Sequence, residues 1–409
     1  MSSEIRNPRV EELGAYIGCL RTAFLGDREV TTEEAVWKAA HMDITRAFCP
    51  FADGNLSGTS RTFPTQLTVP GGATIPAAAV TEVSVLPTQR RKGFLSQMMR
   101  AMLDDARERG ESVAILLASE WPIYGRFGYG PATDRVSFEI NTRTARFREP
   151  RTGSVEMVDV QTIRSIAPEV YEQIRLKNVG SLHRDSEWWD LILNVLARPG
   201  GTVAKNRVRI VWRDDAGTPR GYAVYDAEGG WAGGMPRGEL HVRDMFAATP
   251  DAERELWRYL CDIDLAETLH AGNRPPDDPL PLHLVNGRQV LVRSREDHLW
   301  VCVLDIIATL EARTYGVDGR LTLQIADPAS GKDTRYSLEV HDGRAQVVED
   351  THPADLEIGL SSLGAAYLGG TSWSALATAG WVKEVSPGSV KKADSMFGIR
   401  PLPFLTTNF

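Results

Sequence analysis

A chain of 409 residues is longer than one hydrophobic core usually supports, so two or three domains are expected. Hydrophobic residues at 42% and charged residues at 24% exclude a disordered, collagenous or coiled-coil chain. The net charge of -8, with no long basic run, lacks the electrostatic footprint of a nucleic-acid binder.

The first six residues contain no apolar leader, and no stretch approaches the roughly 18 apolar residues of a membrane span. A soluble cytoplasmic protein without a membrane partner is expected. Asn7-Pro8 offers a cap and a first-turn proline for a helix carrying Leu13, Tyr16, Ile17 and Leu20 at helical spacing. Thr31 and Glu34 form a capping box for a second helix, and Cys19 and Cys49 belong to a set of four cysteines with no C-x-x-C pair. That spacing writes neither a disulfide framework nor a zinc ribbon, and suits a reducing compartment.

Residues 77–86 read as a buried strand stopped by Pro87, residues 93–109 as a helix with Leu95, Met98, Met102 and Ala106 on one face, and residues 112–119 as a second buried strand. Strand, turn, helix and strand predict two parallel neighbours joined by a right-handed crossover. An Arg-rich stretch near residues 142–154 and the Arg274-Pro275-Pro276-Asp277-Asp278-Pro279 run divide the chain. Between them, residues 239–262 echo the strand-turn-helix order, with an acidic turn that has no glycine. From about residue 291 the pattern is alternating strands, with Asp342-Gly343 as a hairpin turn. The apolar end, Pro401 to Phe409, is expected to be buried.

The turn Gln89-Arg90-Arg91-Lys92-Gly93 meets a helix whose first amides lack intrahelical partners. Cations there oppose the helix dipole by roughly 0.3–1 kcal/mol each, so a bound anion such as a pyrophosphate would relieve them. Residues 119–132 set three glycines among aromatic side chains just after the second strand, which brings Tyr124 to the strand ends. A structural aromatic turn is the simpler role for Tyr129. Aromatic residues Phe24 and Trp37, with Asp27, suit an acceptor cleft, although core packing accounts for both rings. Trp188 and Trp189 are read as helix packing.

Val83-Ser84-Val85-Leu86-Pro87 followed by Arg90-x-x-Gly93 resembles the coenzyme A loop of the GCN5-related N-acetyltransferases, departing from it at Leu95. With A-S-E-x-x-I-Y-G-R-F-G-Y-G-P-A at residues 118–132, the whole chain resembles the enhanced intracellular survival (Eis) family. That resemblance implies an α+β protein of tandem GCN5-related N-acetyltransferase folds, the second degenerate, plus a C-terminal sterol-carrier-protein-like α+β domain. The corresponding ranges are 1–150, 151–290 and 291–409. It further implies an acetyl-CoA-dependent N-acetyltransferase in which Val83, Ser84, Val85, Arg90, Arg91, Lys92, Gly93, Phe94, Leu95, Ser96, Ser119 and Glu120 hold acetyl-CoA. Tyr124 would be the general acid and the Phe409 carboxylate the general base, transferring acetyl directly to a primary amine. The implied acceptors are aminoglycoside-type polyamines at one or more positions, with peptide or protein lysines as a second class, and the implied assembly is a homo-hexamer.

Glu82 is the rival base, and strand alternation leaves its direction open. The histidines show no His-x-His or H-E-x-x-H spacing, so no metal is assigned. The alternative reading is a lipid- or long-acyl-CoA-binding protein with a vestigial or differently specific acyltransferase site.

Overall fold

A computed structural model describes residues 3–27, 29–199, 201 and 204–409. The chain separates into two compact units: Met1–Thr133 with Asp297–Pro403 and Thr407–Phe409, and Asp134–Glu296 with Phe404–Thr406. Among the described residues no helix is long and apolar enough to cross a membrane.

In the first unit the strands Gly58–Thr68, Thr74–Val85, Val113–Leu117, Leu299–Val303 and Gly130–Pro131 lie in that spatial order in one sheet. Thr74–Val85 and Val113–Leu117 run parallel, and the helix Phe94–Glu108 connects them, as the sequence predicts. Leu299–Val303, distant in sequence, inserts antiparallel beside Val113–Leu117. Every residue of that strand is buried, which explains its unbroken apolar run: both of its faces must be covered.

A second sheet in this unit orders the strands Arg344–Glu349, Lys332–His341, Gly319–Asp327, Leu356–Gly359 and Val382–Glu384. Asp342 and Gly343 form its predicted hairpin turn with φ of 49° and 71°, the positive pair a type I′ turn requires. The small-residue helix Leu360–Tyr367 packs against Leu299–Val303 and Gly130–Pro131. A Cβ at Gly364 would run into the Val301 carbonyl oxygen, and one at Gly130 into that of Ser361, so glycine is what permits this approach.

The first helix departs from its sequence reading. A single 3-10 turn, Val10–Glu12, precedes the α-helix Leu13–Ala23. Asn7 does not cap it, because its side-chain amide donates to the carbonyls of Thr45 and Ala47 (3.2 and 2.7 Å). Glu12 instead accepts from the Arg9 amide at 2.7 Å. The helix Thr32–His41 does start on the expected box, with Thr31 Oγ1 accepting from Glu34 N at 3.2 Å and Glu34 accepting from Thr31 N at 2.8 Å.

The second unit is a seven-stranded sheet containing the predicted echo. Gly238–Ala247 and Ala266–Arg274 pair in parallel, joined by the helix Pro250–Cys261. Phe404–Thr406 docks in this unit: Phe404 N donates to Val179 O at 2.8 Å, and Arg184 donates to Thr406 O at 3.2 Å. Phe404, Leu405, Thr406 and Thr407 are buried, whereas Asn408 is exposed and Phe409 half-buried. The expected burial of the tail therefore holds for residues 403–407, while Pro401 is exposed and Leu402 half-buried. All four cysteines are free and buried.

Candidate active site

The site begins with a break in strand pairing. Thr74–Val85 pairs with Val113–Leu117 only where residues 77–79 face residues 113–115, and beyond that point the two edges are open. The cause lies on the other side of the strand, where Thr59 faces Ser84 and Arg61 faces Thr81, so Glu82 and Val83 together oppose Ser60. This bulge puts Glu82 at φ 56°, a left-handed conformation that is costly for a residue with a Cβ. Lys38 Nζ holds its carboxylate at 2.6 and 2.7 Å, and the Tyr16 hydroxyl donates to it at 2.8 Å. Arg61 Nε stands 3.1 Å away but out of line for a hydrogen bond, so it acts as a charge. Burial alone would raise the Glu82 pKa, but Arg61 and Lys38 override it and hold the carboxyl below its ordinary value. Glu82 is thus a tethered anion inside the fold.

At the end of the bulged strand, Pro87–Gln89 makes one 3-10 turn before Arg90 and Arg91, both exposed. Arg91 takes φ 63° and Gly93, the N-cap of Phe94–Glu108, takes φ 82°. No side chain caps this helix, so its leading amides remain available. Neither arginine has a carboxylate partner among the described residues. Uncapped amides flanked by unpaired guanidinium groups are the donor set that a diphosphate requires. The echo in the second unit lacks it: Thr249 Oγ1 accepts from Ala252 N at 3.2 Å, and Asp251 and Glu253 occupy the first turn.

These features share a cleft of about 660 Å³. Its wall contains Phe24, Val83, Ser84, Val85, Arg90, Arg91, Gly93, Phe94, Leu95, Ser96, Ser119, Glu120 and Tyr124. Leu95, expected both on the apolar helix face and among the residues implied to hold acetyl-CoA, is half-buried and lines the cleft, and Met99 and Leu103 join Met98, Met102 and Ala106 in the core. Lys92, Asp27, Trp37 and Phe409 are not in the wall. Lys92 Nζ donates to Gln89 Oε1 at 2.7 Å, Asp27 accepts from the Glu29 amide at 3.0 Å, and Trp37 stacks on His41 with centroids 4.2 Å apart. The Phe409 ring sits edge-on to Phe63 at 5.6 Å, and Asn408 Oδ1 is 2.8 Å from His298 Nε2. The wall also holds Ile123 and Arg126, which the sequence reading placed in the motif around Tyr124 without giving them a site role.

Tyr124 ends the short helix Trp121–Tyr124 and is 4% exposed. Burial raises its phenol pKa above 10, and a hydrogen bond with Ser119 pulls partly back, so the group is a protonated acid at neutral pH. Tyr129 packs edge-on behind it at 6.1 Å and is fully buried, in keeping with a structural role. A second cavity in this unit, about 680 Å³, is lined by Asp104, Asp305, Asp327 and Glu349 and has the wrong sign for a diphosphate.

Residues 4–132 match the family model of an acetyltransferase (GNAT) domain, residues 180–299 match a second model of the same description, and residues 306–406 match a sterol carrier protein domain. The chain is 36% identical over 410 residues to an uncharacterized N-acetyltransferase of Streptomyces griseus, covering 98% of this chain and 99% of that one. It is 32% identical over 342 residues to N-acetyltransferase Eis of Mycobacterium tuberculosis, covering 81% and 80%. Among solved structures it resembles Eis1 of Mycobacterium abscessus, with a TM-score of 0.86, 32% identity, and 99% and 100% of the two chains covered. A GCN5-related N-acetyltransferase from Anabaena variabilis shares the fold at a TM-score of 0.85 and 18% identity, covering 100% of both chains.

Proposed function

From the premise that the chain belongs to the Eis family of GCN5-related N-acetyltransferases, we propose that it acetylates primary amines of a small polyamine of the aminoglycoside type, at one or more positions. The donor in this reading is acetyl-CoA, which supplies an acetyl group activated as a thioester. One observation carries it: an uncapped, arginine-flanked helix terminus and a buried, protonated phenol open into the same cleft.

In this reaction Arg90, Arg91 and the leading amides of Phe94–Glu108 bind the donor's diphosphate. The open strand edge at residues 83–85 offers backbone groups to its amide-bearing arm, and Ser119 with Glu120 closes the opposite wall. Tyr124 gives its proton to the departing sulfur. The Phe409 carboxylate receives a proton from the attacking ammonium, directly or through water. An α-carboxyl titrates near pH 3.5 in water, so this role needs a setting less polar than solvent; the docking of the Phe409 ring on Phe63 favours that by holding the terminus against the fold. Glu82, engaged by two cations and a phenol, is a poor proton acceptor and serves to hold the bulge. Phe24 in the cleft wall, with Asp27 and Trp37 nearby in sequence, belongs to the acceptor side.

Only the first acetyltransferase-like domain takes the donor, because the echo's helix terminus is capped and acidic. Four free buried cysteines accord with a cytoplasmic setting, and a homo-hexamer is the assembly proposed from the family. Thiol release from acetyl-CoA, measured with aminoglycosides, linear polyamines and a lysine peptide, tests the reading. Acceptor-dependent release with the aminoglycosides is expected; release confined to the lysine peptide would move the acceptor class, and no acceptor-dependent release with any amine would remove the proposal. Replacing acetyl-CoA by longer acyl-CoAs separates the donor specificities, with acetyl-CoA expected to be preferred.

A further inference from the structure

His241 lies on Gly238–Ala247 and His270 on the adjacent parallel strand Ala266–Arg274, and the two are direct partners in register. Side chains paired in this way project from the same sheet face. Their rings stack with centroids 4.9 Å apart and planes 11° from parallel. The Nε2 atom of each lies 3.6 Å from the same oxygen, Glu239 Oε2. These three donor atoms lie within 4.8 Å of one another.

A separation of 3.6 Å is too long for an N–H···O hydrogen bond, so the three groups converge on a point without bonding one another. It is close to the spacing of a tetrahedral zinc site, where bonds of about 2.0–2.2 Å set ligand atoms roughly 3.3 Å apart. Small side-chain rotations close the remaining gap between the imidazoles. Glu239 has no Arg or Lys partner among the described residues; Arg243 is engaged by Asp226 at 2.7 Å, and Arg293 by Glu139 at 2.6 Å. Glu239 is exposed and both histidines are half-buried, so an ion can reach the site from solvent. Glu139 faces His270 from the strand on its other side, where an outer-shell carboxylate would orient the ring.

We infer that Glu239, His241 and His270 form a site for a divalent transition-metal ion of the zinc type, with two imidazoles and one carboxylate as ligands and a fourth position left to water. Linear spacing conceals it, because a whole helix separates the two histidines in the chain. The ion ties two parallel strands together across the sheet, and the site is independent of the acyl-transfer reading.

The test uses the untagged full chain, stripped with a chelator and titrated with Zn²⁺ by calorimetry. One equivalent should bind with a Kd below about 10 μM, and thermal unfolding should shift upward with added Zn²⁺. His241→Ala and His270→Ala should each weaken binding by at least about tenfold and abolish the thermal shift. Glu239→Gln, at an exposed position, should weaken binding even if a histidine variant fails to fold. Binding weaker than about 100 μM, or unchanged by both His270→Ala and Glu239→Gln, would overturn the assignment.

Discussion

Glu82 holds a left-handed backbone conformation that is costly for a residue with a Cβ, and its charge partners explain why it persists. Lys38, Arg61 and Tyr16 converge on it from other elements, fixing the bulge that keeps Thr74–Val85 from pairing further. Glu82→Gln removes the carboxylate charge facing the buried Lys38 and the half-buried Arg61, and a destabilisation of about 2–4 kcal/mol is expected by denaturant unfolding. The pH sign follows from the depressed folded pKa. The stabilisation is fully present above the unfolded carboxyl pKa of about 4.3 and is lost as pH falls through the lower folded value. Wild-type melting temperature should therefore fall more steeply below about pH 4 than that of Glu82→Gln; parallel curves would show that the clamp carries no such linkage. Arg91→Ala removes a cation from the proposed diphosphate seat, and the KM for acetyl-CoA should rise about 10-fold or more with kcat nearly unchanged. The difference should shrink at high salt, as expected for an exposed charge. The arginine-flanked helix terminus was legible in the sequence because its residues are contiguous. The Glu82 clamp was not, since Tyr16, Lys38 and Arg61 are scattered and only tertiary packing brings them together.

Local chemistry specified many elements directly. The Thr31 box, the Asp342-Gly343 turn and the helix between two parallel strands all follow from residues a few positions apart. Asn7 misled because its side chain found long-range backbone acceptors, which no periodicity records. The position of Leu299–Val303 inside the first sheet was equally hidden: an apolar run announces burial but not its neighbour. The helix Leu360–Tyr367 can lie on that strand only because Gly364 has no Cβ. Gly364→Ala drives a methyl into a backbone carbonyl, and a loss of about 2–4 kcal/mol is expected by thermal or denaturant unfolding. A stability within about 0.5 kcal/mol of wild type would mean the helix repacks freely.

At the scale of the whole molecule, the tail ties the account together. Phe404–Thr406 belongs to one compact unit and Thr407–Phe409 to the other, and the last ring docks on Phe63. If the terminal carboxylate is the base, Phe409→Ala should reduce kcat less than deletion of Phe409, and a C-terminal extension should behave like the deletion. Equal activity in all three proteins would assign the tail to packing alone. The family could be read from the sequence, and so could the cleft proposed for the acyl donor, because the motifs at residues 83–96 and 119–132 sit on one strand-helix-strand unit. The residues proposed for the acceptor were harder to read: Phe24 lines the cleft, whereas Trp37 and Asp27 engage their own helix and loop neighbours. The central claim is that this cleft pairs a donor seat with a phenolic acid, and steady-state acetyl transfer by Tyr124→Phe tests it most directly. The account predicts a kcat lower by about 10²–10⁴-fold, with the KM for acetyl-CoA within about threefold of wild type. An unchanged kcat would contradict it.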